Sequence, residues 1–162
     1  MMPLCHPLFS NRTIRITSSI GTKKRTKTTE MTDSELAYEI IGSAMDVYRK
    51  LGPGLLESVY QKAMMIELDN RCLIAEDEVP IDVIYDENNL GLGFRIDILV
   101  ENTIIIELKS VSQIEKVHFK QLQTYLRLAN KPLGYLINFN ACDFSIGKAI
   151  HRITNQKYLN SN

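Results

Sequence analysis

The chain has 162 residues, a formal net charge of zero, 44% hydrophobic residues and 23% charged residues. This composition excludes a wholly disordered chain, and no apolar run approaches the ~20 residues that a spanning helix needs, so no membrane association is expected. The three cysteines, Cys5, Cys72 and Cys142, form no CxxC pair, which excludes a disulfide framework, weighs against a cysteine-built zinc site and fits a reducing, cytoplasmic setting.

Charge is unevenly distributed. Residues 1–30 carry six basic groups against Glu30 alone, and nine Ser or Thr, without a sustained period. This segment reads as a basic leader outside the fold: residues upstream of a working initiator at Met31, a disordered arm, or a targeting segment. Residues 31–162 hold thirteen basic and eighteen acidic groups, so the body is mildly acidic and any contact with nucleic acid must be local. The working domain is expected over 31–155, with 156–162 as a tail.

From Thr32 the structural signals sharpen. Thr32-Asp33-Ser34-Glu35 fits a capping box, and Leu36, Ile40, Ala44, Val47, Tyr48 and Leu51 recur at helical spacing. Gly52-Pro53-Gly54 ends that helix. A second helix is predicted over 55–70. Ile81, Val83 and Tyr85 alternate as a strand, and Asp86-Glu87-Asn88-Asn89 reads as a turn. Two further strands are predicted over 92–100 and 103–109, then a helix over 114–129. An apolar strand follows over 133–139, near enough to a sheet edge to pair two copies as a homodimer. Residues 144–153 suit a last short strand or helix. The order is αα-βββ-α-β, an α/β protein.

The hairpin holds the first chemical signal. Phe94, Ile96, Ile98 and Val100 should share one strand face, with Arg95, Asp97 and Leu99 on the other. Ile104-Ile105-Ile106 is apolar on both faces, as in a strand covered on both sides, yet Glu107 and Lys109 stand at its end, where charge is costly unless paired or metal-bound. A three-residue loop sets Asp97 opposite Glu107, and a one-residue loop sets it diagonal. Like charges so placed repel. Lys109, Arg95, a shared proton or a hard divalent cation could offset the repulsion, and internal ion pairs alone would also explain the triplet.

Two helices add candidates. On a projection of 55–70 at about 100° per residue, Leu55, Leu56, Val59, Ala63 and Ile66 form one side. Glu57 falls outside the polar arc, near Tyr60, Met64 and Leu68. The dipole at the helix N-terminus also explains an acid there. In 114–129, Val117, His118, Gln121, Leu122, Tyr125, Leu128 and Ala129 share a broad face that turns Gln121 and Tyr125 inward. His118 reads as a core histidine, and Lys116, Lys120 and Arg127 as a solvated face.

The pattern Gly54-x-x-Glu57-x-x-Tyr60 resembles the motif that names the GxxExxY proteins. Asp97, Glu107-Leu108-Lys109 and Gln121-x-x-x-Tyr125 together resemble the PD-(D/E)XK nuclease superfamily, with Ile96 in place of the nominal proline. The resemblance covers about 33–150. It implies a restriction-endonuclease-like core, a mixed sheet flanked by helices, and a metal-dependent phosphodiesterase acting on nucleic acid, DNA ahead of RNA. By the same resemblance Asp97, Glu107 and the Leu108 carbonyl would hold Mg²⁺ or Mn²⁺, with Glu57 adding a carboxylate directly or through water. Lys109 would orient or deprotonate the attacking water, and Gln121, Tyr125 and Tyr60 would contact the substrate or support the ligands. A non-catalytic binding module on the same scaffold is the alternative, as is a purely structural protein.

Overall fold

The computed structural model describes residues 31–159; the leader 1–30 and residues 160–162 lie outside them. Helix α1 (Asp33–Leu51) opens on the expected capping box. The Thr32 hydroxyl accepts the Glu35 N–H and the Glu35 carboxylate accepts the Thr32 N–H, which satisfies two end donors at once. Leu36, Ile40, Ala44 and Val47 are buried, whereas Leu51 is exposed at the last turn. Gly52, at φ +66°, ends the helix in a conformation that favours glycine.

Helix α2 (Glu57–Asn70) buries Tyr60, Met64, Glu67 and Leu68. The side expected to be apolar is largely solvated: Leu55, Leu56, Val59 and Ile66 are exposed. The buried stripe is the one that Glu57 begins, because 57, 60, 64 and 68 line up at three- and four-residue spacing. Polar pairs tie α2 to α1: Lys50 binds the buried Glu67, and Arg71 bridges Glu39 and Asp46.

Strand β1 (Ala75–Tyr85) turns into β2 (Asn88–Val100) through Asp86 and Glu87 alone, at φ +46° and +64°. The four-residue turn expected at 86–89 is therefore two residues long, and β2 begins earlier than position 92. Two positive φ values match a mirror-image hairpin turn, whose twist suits the flanking strands. There follow β3 (Ile104–Lys109), α3 (Lys116–Leu128), β4 (Leu133–Asn138), β5 (Ile150–Thr154) and a single helical turn, α4 (Gln156–Leu159). The ambiguous segment 144–153 thus contributes a strand.

The sheet order is β1-β2-β3-β4-β5, parallel between β3 and β4 and antiparallel elsewhere. This is the mixed sheet flanked by helices expected of an α/β, restriction-endonuclease-like core. β4 lies between β3 and β5 and all six of its residues are buried. β4 thus lies next to the sheet edge, but with both sides paired it cannot join two copies, which removes the expected route to a homodimer through it. The edges are β1 and β5; β1 carries Glu76, Asp77, Glu78, Pro80 and Asp82, residues that discourage pairing with another chain.

Each sheet face has its own core. Ile98, Val100, Ile104, Ile106 and Leu108 pack with α1 and α2. Leu99, Ile105 and Leu136 pack with Leu122, Tyr125 and Leu126 of α3. Val117 is exposed, contrary to expectation, because the inward face of α3 begins a turn later. His118 is no core histidine either: its Nδ1 accepts the Glu115 N–H and caps the helix.

One expectation fails in an informative place. Ile96 packs on the α3 side although Ile98 packs on the α1 and α2 side. The β1–β2 register runs Asp77↔Ile98 and Val79↔Ile96, and Glu78, the residue between, sits at φ +55°. The regular alternation breaks at Glu78 and Asp97, so the four residues Phe94 to Val100 do not share a face.

Gly134 lets α3 approach the sheet. A Cβ there would lie 2.9 Å from Leu122 Cδ1 and 3.2 Å from the Ile105 carbonyl oxygen. Gly134→Ala should therefore lower unfolding stability by about 1–3 kcal/mol through overpacking. Urea unfolding measures this, and an unchanged midpoint would show that α3 retreats without cost.

Candidate active site

The hairpin takes the register of the three-residue loop, with Val100↔Ile104 and Ile98↔Ile106. Pairing stops there. Asp97 and Glu107 would be the next pair, but the strands separate, and the Leu108 N–H donates to Asp97 Oδ2 at 2.8 Å. A residue's N–H and C=O point to the same side of a strand, so the Leu108 carbonyl opens into the same gap.

Glu107 is the most constrained acid in this gap. Its side chain is 1% exposed. Lys109 Nζ donates to Oε1 at 2.6 Å, while Oε2 is buried without a hydrogen-bond partner. Such an orphan oxygen is costly and rare. Burial, and next the charge of Asp97, push the Glu107 carboxyl up to about 7 against the pull of Lys109. Burial also raises Asp97; the Leu108 N–H and Lys109 oppose, while Glu57 and Glu78 add to the rise. For Lys109 burial acts downward, but the Glu107 hydrogen bond and the three carboxylate charges prevail, so the ammonium is held above its ordinary value.

Glu57 reaches this group from α2. Its Oε1 accepts the Ser110 N–H at 3.0 Å, just beyond the end of β3, and its charge is felt at Asp97, Glu107 and Lys109. Ser110 in turn donates its hydroxyl to the Leu55 carbonyl at 2.6 Å. The residue itself is solvent-exposed, so Glu57 stands at the open side of the gap.

The remaining candidates separate. Gln121 Nε2 donates to the Tyr125 hydroxyl at 2.7 Å. Burial raises the Tyr125 hydroxyl's pKa, Gln121 lowers it, and the charges of Glu107 and Asp97 raise it; the pair therefore senses the acidic gap from α3. Tyr60 is fully buried, stacked on Phe139 at 4.5 Å. Its hydroxyl donates to the Gly52 carbonyl at 2.7 Å and accepts the Leu55 N–H at 3.1 Å. Both bonds hold the turn that launches Glu57, and neither points to the carboxylates.

Three supporting residues escape sequence reasoning. Gln61 Nε2 donates to the Asp97 carbonyl at 3.0 Å and to Glu78 at 2.9 Å, yet nothing distinguishes it from a solvated helix residue. Glu78, also bound by Arg95, looks like one more edge-strand acid. Asn138 is buried and clamps the segment after β3 through the Val111 N–H and carbonyl. Its signal was available: an amide inside the apolar run 133–139.

A family model for the PD-(D/E)XK nuclease superfamily matches residues 34–153. The chain belongs to that superfamily. No curated protein and no solved structure matches it.

The donor set fits a hard divalent cation. Two carboxylates with raised affinity for protons, an orphan carboxylate oxygen and a carbonyl opening on the same gap are oxygen ligands of the kind Mg²⁺ takes. No three described His, Cys, Asp or Glu residues already close into a ligand cluster, in line with Lys109 and the Leu108 N–H each engaging one carboxylate oxygen.

These shifts carry a pH dependence. Glu107 goes from an ordinary 4.5 to about 7 on folding. A raised acid stabilises the fold fully below the lower value, and that contribution disappears as pH rises through the upper one. In chelator, unfolding stability should fall between pH 4.5 and 7, by on the order of 3 kcal/mol at most. Glu107→Gln should flatten that fall, and thermal unfolding across pH measures it. Parallel profiles for the two proteins would contradict the raised carboxyl.

Proposed function

We propose that this chain is a divalent-cation-dependent phosphodiesterase that cleaves nucleic acid, DNA ahead of RNA, within a working domain of 31–155 in the cytoplasm. The observation that carries this reading is the orphaned Glu107 Oε2 beside Asp97, in a gap where the sheet has given up its own pairing. Membership of the nuclease superfamily supports the reaction class. No described helix is long and apolar enough to cross a membrane.

Asp97, Glu107 and the Leu108 carbonyl would hold Mg²⁺ or Mn²⁺, with Glu57 joining directly or through water. When bound, the ion lowers the pKa of water and neutralises charge on the leaving oxygen. The protein supplies the rest. Water adds to phosphorus as the bond to the leaving oxygen breaks, the water giving its proton to solvent and the leaving oxygen taking one from solvent. Lys109, held protonated by its carboxylate neighbours, is suited to orient that water and to neutralise developing charge on the phosphoryl oxygens. Its raised pKa makes it a poor proton acceptor at neutral pH. Gln121 and Tyr125 present an amide and a hydroxyl to the substrate from α3.

The finer assignment is to the GxxExxY proteins. It is supported by a shared role for the three motif positions: Gly54 at φ +96°, Glu57 bound to the end of β3, and Tyr60 bracing the turn between them. One observation favours the second reading, a binding module without catalysis. The Lys109–Glu107 pair at 2.6 Å is already closed and would leave Glu107 neutralised rather than ligating.

Incubation with Mn²⁺ and single- and double-stranded DNA and RNA separates the two. The nuclease reading expects metal-dependent cleavage, reduced about 10²–10⁴-fold by Asp97→Asn or Lys109→Ala, and a metal-induced rise in melting temperature that both Asp97→Asn and Glu107→Gln abolish. Binding without cleavage, unchanged by Lys109→Ala, would establish the module instead.

A further inference from the structure

The acidic balance of the body conceals a division. Residues 31–115 carry seventeen acidic and six basic groups; residues 116–162 carry seven basic groups and one acid, Asp143. In the fold α1, α2 and β1–β3 belong to the first half and α3, β4 and β5 to the second, the two joined where β3 pairs with β4. The ion pairs of Arg49, Lys50, Arg71, Arg95 and Lys109 all draw their cations from the first half. Lys120 and Arg127 stand exposed on α3, and no carboxylate of the described residues pairs with them.

Those two cations line a cleft of about 360 Å³ between α3 and the end of β5, completed by Gln123, Thr124, Gln156 and Lys157. The floor is braced. The Asn155 amide donates to the Leu126 and Lys131 carbonyls at 3.0 Å each, which ties the end of β5 to the end of α3. Cations, amides and hydroxyls converge there, and no acid of the described residues lines the cleft. Lys120 and Arg127 are seven residues apart, about 10 Å along the helix. On one strand of B-form DNA that rise spans about three phosphates.

We infer that the cleft between α3 and the end of β5 is a second binding site for the phosphate backbone of the nucleic acid that the Asp97 and Glu107 site would cleave. This rests on the nuclease reading for its substrate class and adds where the strand is held away from the reacting bond. Helix α3 connects the two sites. Gln121 and Tyr125 sense the acidic gap on its inner side, while Lys120 and Arg127 line the cleft roughly one helix diameter away, ~10–12 Å. The cleft also gives an acidic body a local group of cations on which to meet a polyanion. The face that reads from sequence as merely solvated thus gains a ligand.

The test is salt-dependent binding by the full chain, followed by fluorescence anisotropy of labelled DNA and RNA oligonucleotides in chelator so that nothing is cut. The variants are Lys120→Gln, Arg127→Gln and the double substitution. Each lost phosphate contact should make the slope of log affinity against log salt shallower by about one, and the double variant by about two. The metal-induced rise in melting temperature should stay as in wild type. Identical slopes for wild type and double variant, or no binding by wild type, would overturn the inference, as would full displacement by inorganic phosphate at concentrations that leave other phosphate-binding proteins saturated with DNA. The two readings fail separately. Cleavage with variant KM and kcat equal to wild type removes the cleft and leaves the nuclease. Weakened binding in the variants of a protein that never cleaves removes the nuclease and leaves the cleft.

Discussion

The site depends on one substitution of partners: the Leu108 N–H bonds to a side chain instead of to a strand. Had β2 and β3 continued past Ile98↔Ile106, Asp97 and Glu107 would stand as directly opposed carboxylates in a closed ladder, which is destabilising. Taking the Leu108 N–H onto Asp97 Oδ2 does two things. It satisfies a donor that would otherwise be buried and unpaired, and it opens backbone and side-chain oxygens onto one gap. Gln61 and Arg95 hold the other side of the opening through Glu78, whose φ of +55° marks where β1 gives up its regular twist. A non-glycine residue in that region persists only when its surroundings impose it.

The turn before α2 serves the same gap from the opposite direction. A helix that begins at Glu57 has no side-chain cap at Leu56, so its first turn lacks the usual support. Tyr60 compensates from below by bonding both Gly52 and Leu55, and Ser110 compensates from the sheet by bonding Leu55 while its N–H binds Glu57. The carboxylate is thereby attached to the end of β3 rather than left as a mobile first-turn acid. Glu57 remains solvent-accessible, as a residue must be if it is to meet substrate or water.

The architecture was legible wherever local chemistry decides it. The capping box at Thr32 and Glu35, the stop at Gly52 and the doubly apolar β3 all follow from residues adjacent in sequence, whereas the loop only narrowed the hairpin register to two, of which the structure takes the three-residue one. What was not legible depends on partners far along the chain. Val59 and Ile66 look like core and lie exposed, because α2 packs by the Tyr60-Met64-Leu68 stripe and its pairing with α1. The strand at 133–139 looks peripheral and is interior, because only the sheet order places β5 outside it. The reversal at Ile96 has its cause in Glu78, eighteen positions earlier. In the site, acids and lysine could be nominated from a strand face, whereas Gln61 and Ser110 are ordinary polar residues until the fold brings them to Asp97 and Glu57.

The arrangement of Glu107 bears on how a cation and Lys109 could share one carboxylate. If both oxygens were bonded to protein, a metal would have to break a short charge-assisted bond, one of the stronger interactions a buried group makes. Instead Oε1 is engaged by Lys109 and Oε2 is unpartnered. A cation at Oε2 would compete chiefly with the proton that burial and Asp97 favour, and its positive charge would remove the cause of that preference. Lys109 would keep its bond while the like charges around it are neutralised, so its ammonium would lose part of the carboxylate support that now raises it. Metal occupancy and the protonation of Lys109 would in this way be coupled through a single side chain, with the acidity of the lysine set by whether a cation is present.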